Sequence, residues 1–88
     1  MSASETTTDH ETIRKWVEAR DGRPSRVKSA GGNGGLLRID FGEPEQNFEE
    51  IGWDEFFRIF DANKLAFLHQ EETEDGRESR FNKFINRS

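Results

Sequence analysis

The chain has 88 residues, which allows one domain and no more. Only 31% of residues are hydrophobic and 35% are charged, yet eight Phe and two Trp supply the large apolar groups that disordered chains lack. The absence of cysteine excludes disulfides, thiolate chemistry and Cys-based zinc sites, and a formal net charge of −5 argues against bulk attraction to nucleic acid or anionic lipid.

Met1 to Thr8 is mostly Ser, Thr and Glu. It has no basic start and no apolar run, so it reads as a disordered tail over 1–8 rather than a signal peptide. No stretch approaches the roughly 18 consecutive apolar residues of a membrane span. A soluble, cytoplasmic protein is expected.

A first helix is predicted over 9–21. Thr8 and Glu11 have capping-box spacing, and Ile13, Trp16, Val17 and Arg20 fall at i, i+3, i+4 and i+7. Gly22 would supply its left-handed stop and Pro24 would prevent its continuation. A short strand over 25–29, centred on Val27, and a second over 36–41 flank the Gly-rich run 31–35. Leu37, Ile39 and Phe41 alternate with Arg38 and Asp40, the pattern of a strand with one buried face. The two strands form an antiparallel hairpin.

Gly42 to Asn47 is a polar loop. A second helix is predicted over 53–62, with Gly52 as N-cap and Trp53, Phe56, Phe57 and Phe60 on one stripe. Ile51 can staple onto Phe56. The run 65–70 is nearly continuous in apolar character, so it reads as a strand central in its sheet. After the acidic loop 71–76, Ser79 can cap a last short helix carrying Phe81, Phe84 and Ile85. Asp75 and Gly76 are also a hairpin signal, so a fourth strand stays open there. The resulting class is α+β in the order α-β-β-α-β-α. Its form is a small three-stranded, mostly antiparallel sheet with helices packed on one face, and the single domain covers 9–87.

Taken together, residues 13–20 with Gly22 and Pro24, then 37–41, 51–57 with Phe60 and Asp61, 65–68, and 79–83 resemble a family of short, uncharacterised bacterial proteins. The match covers about residues 9–87. Where such proteins often place Ser before the Trp of the second helix, this chain has Gly52. Some members carry a glucan-branching-enzyme label. That activity belongs to barrel enzymes, which take about 250 residues. The resemblance therefore brings neither catalytic carboxylates nor any other catalytic residue to this chain.

Charge is unevenly spread. Arg14 to Lys28 holds six basic residues and two acidic ones, while Asp40 to Asp61 holds eight acidic residues and one basic. The basic set is Arg20, Arg23, Arg26, Lys28 and Arg38. Arg26 and Lys28 point to one sheet face, and with Arg38 on the outward face of the paired strand they make a candidate anion site. The acidic set Glu43, Glu45, Glu49, Glu50, Asp54 and Glu55 lacks a calcium-loop pattern and reads as solvated. His10 and His69 are distant in sequence and read as surface and strand-end residues. The Gly run lacks both phosphate-loop fingerprints.

No nucleophile–base pair, metal spacing or cofactor motif is present, so no enzyme activity, metal or cofactor is expected. The reading is a non-catalytic protein-interaction module. Phe57 or Ile59, at the edge of the aromatic stripe, is the candidate partner surface. The alternative is an anion or nucleic-acid binder using Arg26, Lys28 and Arg38. No membrane partner is expected, and the chain is a monomer or a weak homodimer.

Overall fold

The computed structural model describes residues 4–28 and 37–87. Its elements run β1 (Ser4–Thr7), α1 (His10–Glu18), β2 (Gly22–Val27), β3 (Leu37–Phe41), β4 (Phe48–Glu50), α2 (Trp53–Ala62), β5 (Leu65–Gln70) and β6 (Asn82–Asn86). The expected Gly-rich connection over 31–35 lies outside the described residues.

The cap of α1 is Asp9. Its carboxylate accepts the Thr12 N–H at 2.8 Å and the Thr12 hydroxyl at 2.6 Å. Thr8 cannot serve, because the chain before Asp9 is leaving a strand and the Thr7 hydroxyl accepts the Asp9 N–H. The disordered tail expected over 1–8 is corrected for residues 4–7, which pair antiparallel with β5, from Ser4 with Gln70 to Thr7 with Phe67, while residues 1–3 lie outside the described residues. At the far end of α1, Asp21 takes the left-handed conformation expected of Gly22. Gly22 is needed for a different reason. A Cβ there would lie 2.8 Å from Ile39 Cγ2 and 2.9 Å from Val17 Cγ1, so the glycine lets α1 close onto β3.

The α+β class stands, with two antiparallel three-stranded sheets in place of one. The first has the order β3-β2-β4, the second β1-β5-β6. β2 is central although it holds Pro24. The Pro24 carbonyl still accepts the Ile51 N–H at 3.0 Å, but the proline has no N–H to return, and the β2–β4 pairing ends at Ser25 and Glu50. β5 is central in its sheet, as its apolar run predicts. The expected last helix is instead β6. Residues 82–86 pair back along β5, where Phe84 opposite Phe67 satisfies both backbone and core.

Both helices lay their stripes on a common core. Ile13 and Val17 from α1, Phe56, Ile59 and Phe60 from α2, and Ile39 and Phe67 from the two sheets are all buried. Phe84 meets Phe56, Phe60 and Phe67 with ring centroids 5.4–6.3 Å apart. No helix among the described residues is long and apolar enough to cross a membrane.

Arg20 crosses from α1 to the β5–β6 connection. Its Nε donates to the Ser79 carbonyl at 2.6 Å, Nη1 to that of Trp16 at 3.0 Å and Nη2 to that of Glu71 at 3.1 Å. The guanidinium also lies over the Trp16 ring, 4.2 Å from its centroid, and the residue is 5% exposed. Only a planar fork serves three separate carbonyls. Arg20→Lys is expected to destabilise by about 2–3 kcal/mol, because an ammonium leaves at least one buried carbonyl unmet. Gly22→Ala should cost about 1–3 kcal/mol through overpacking. Urea unfolding monitored by Trp fluorescence measures both.

Candidate interaction surface

The basic set does not assemble. Antiparallel pairing sets Arg26 opposite Leu37 and Ser25 opposite Arg38. Directly opposed residues share a face, so Arg26 projects on the core side with Leu37 while Arg38 projects on the other. Lys28 continues the phase of Arg26, its N–H bonded to the Asn47 carbonyl at 2.8 Å. The candidate anion site of Arg26, Lys28 and Arg38 is therefore split across the sheet. Arg26 is moreover neutralised in place, 2.8 Å from Glu49 and 3.5 Å from Glu55. These two carboxylates raise its pKa further above the ordinary arginine value, chiefly through the Glu49 hydrogen bond. Arg23 pairs with the buried Asp40 at 3.4 Å. The acidic set is likewise dispersed, and among the described residues no group of three His, Asp or Glu could hold a metal ion.

Of the candidate partner residues, Ile59 is corrected: at 3% exposure it is core, turned inward beside Phe56 and Phe60. Phe57 is half-buried and stands in a stack at the seam between α1 and α2. On one side lies His10, centroids 4.0 Å apart and planes within 8°. On the other lies Trp53, 5.3 Å away at 20°. The helical spacing of Trp53 and Phe57 places two rings in register, and the first residue of α1 adds the third.

A carboxylate holds each end of the stack. The Trp53 indole N–H donates to Glu18 Oε2 at 3.3 Å. His10 Nε2 lies 2.8 Å from Asp61 Oδ2, and Arg87 donates to Asp61 Oδ1 at 2.6 Å. Partial burial alone would raise the Asp61 carboxyl, but the hydrogen bond from Arg87 and the charge and hydrogen bond of His10 hold it below the ordinary aspartate value. The role of His10 was hidden in the sequence, because its partners lie more than forty residues away.

His69 stands near the end of β5, as expected, and is buried. Its ring stacks on Phe67 at 5.5 Å and meets Trp16 edge-on at 5.7 Å, and its Nδ1 has no hydrogen-bond partner. Comparisons with family models, curated proteins and solved structures return no match to this chain.

Asp61 gives a pH prediction. Its pKa is depressed in the folded state, so its contribution is full above the unfolded value near 3.8 and fades as pH falls through the folded one. Asp61→Asn should lower stability at neutral pH and flatten the loss of stability below about pH 4. Urea midpoints from pH 2.5 to 7 measure this.

Proposed function

We propose that the protein is a non-catalytic interaction module that docks a partner protein on the ring stack of His10, Phe57 and Trp53. One observation carries this reading: three stacked rings are held at the surface by carboxylates at both ends. Glu18 is the last residue of α1 and Asp61 the second-last of α2. A negative charge at a helix C-terminus is disfavoured by the dipole. Both positions break a local rule, and in both cases the carboxylate binds the outer ring of the stack. Aromatic rings fixed in this manner resemble the anchors of protein interfaces. The flanking carboxylates favour a partner segment bearing arginine, which stacks on rings and pairs with acids.

The test uses the whole chain as bait in a native lysate. Wild type is compared with Phe57→Ser, His10→Ala and, as control, Arg38→Ala, each checked for folding by circular dichroism. A protein captured by wild type and by the Arg38 variant should fall about tenfold with either ring variant, the effect of losing an interface anchor. Capture that ignores both ring substitutions, or that vanishes on nuclease treatment, overturns the reading.

A further inference from the structure

The free side of β6 carries a second surface. β6 is an outer strand, and among the described residues no strand pairs with its far side. The Arg87 N–H donates to the Lys64 carbonyl at 2.9 Å, which extends the register one step past Leu65 and Asn86 and fixes its phase. Positions 83, 85 and 87 therefore bond to β5. The backbone groups of Asn82, Phe84 and Asn86 point outward, unpaired along the edge.

Side chains at this edge sort into two faces. Phe84 turns into the core, so Phe81, Lys83 and Ile85 turn to the face away from the helices. Phe81 is 47% exposed, the one large hydrophobic residue so exposed among those described. On the same face Ile85 borders a hollow of about 420 Å³, whose lining includes Ala66, Asn86 and Arg87. An open strand edge is a template for another strand.

We propose that this occupant is a second copy of the chain, with the two β6 strands antiparallel about a two-fold axis through Phe84. The edge is self-complementary. The outward phase allows a two-fold at any position from 82 to 86, and only the one at 84 pairs the whole of Asn82–Asn86 with itself. In that register Asn82 faces Asn86 of the second copy, and each outward N–H meets a carbonyl. Lys83 faces Ile85 rather than another lysine, so no like charges oppose. Phe81 lies opposite position 87, whose guanidinium stays on Asp61, and next to the hollow that Ile85 borders. The exposed ring, the hollow and the unpaired backbone are then satisfied together, and the two β1-β5-β6 sheets become one continuous sheet.

The contact is small, so a weak dimer is expected, with a dissociation constant on the order of 10 μM. Analytical ultracentrifugation of the full chain from 1 μM to 1 mM should show the mass rising from 10.2 kDa to twice that value. Asn86→Pro removes an outward N–H and leaves the β5 pairing intact, so it should hold the chain monomeric. Ile85→Lys sets two cations opposite each other and should weaken association at least tenfold. Adding Lys83→Glu to it should restore association, which a merely misfolded variant would not do. A single-chain mass up to 1 mM overturns the proposal and leaves the edge to a foreign strand. Dimers that persist in both single variants overturn it as well.

Discussion

The Arg20 guanidinium is the joint on which the arrangement of the second sheet rests. It binds the carbonyls of Glu71 and Ser79, on the two arms of the connection between β5 and β6, and that of Trp16 in the helix just before it. The Ser79 N–H also donates to the Glu71 carbonyl, and the Ser79 hydroxyl bridges the Phe81 N–H and the Gln70 side chain. The connection is thereby pinched shut at its base. β6 must leave it alongside β5, and Phe84 must arrive against Phe56 and Phe60. A charge 5% exposed is tolerated because three carbonyls and an indole face replace its water.

The same logic of local neutralisation governs the rest of the molecule. Arg26 is met by Glu49 and Glu55, Arg23 by Asp40, and Arg87 by Asp61. The basic stretch read in the sequence therefore does not accumulate into a positive field. Each of these three arginines ties together segments distant in sequence. Most of these pairs are solvent-accessible and individually contribute little to stability. Their effect is to fix which elements adjoin.

Legibility followed the size of the apolar signal. α2 and β5 occupy the residues that the Phe-rich stripe of one and the apolar run of the other predict, and β5 is central as that run implies. β1 and β4 were illegible because Ser-Glu-Thr-Thr and Phe-Glu-Glu carry no alternation; they form only because a neighbouring strand offers an edge. For 81–85, the spacing of Phe81, Phe84 and Ile85 suits a helix as well as a strand, and the pairing with β5 decided between them. The anion site failed on a single register step. Arg26 and Arg38 both alternate correctly along their own strands, but the pairing of Arg26 with Leu37 sends them to opposite faces. Phe57 was found as a stripe-edge residue, whereas the stack around it was not, since His10 reaches it from another element.

Packing alone would draw Trp53 and Phe57 into the core beside Phe56, whose ring lies 5.2 and 5.3 Å from theirs. The indole N–H and the imidazole resist this, because sinking would strip Glu18 and Asp61 from their partners and leave polar groups unmet. Two carboxylates at helix ends where the dipole opposes them therefore keep an aromatic face at the solvent boundary. A chain selected for stability alone would place a cation at each of those helix ends. Glu18 and Asp61 instead stand at those ends, each bound to an outer ring of the same stack, and so couple the two helix ends to one aromatic face.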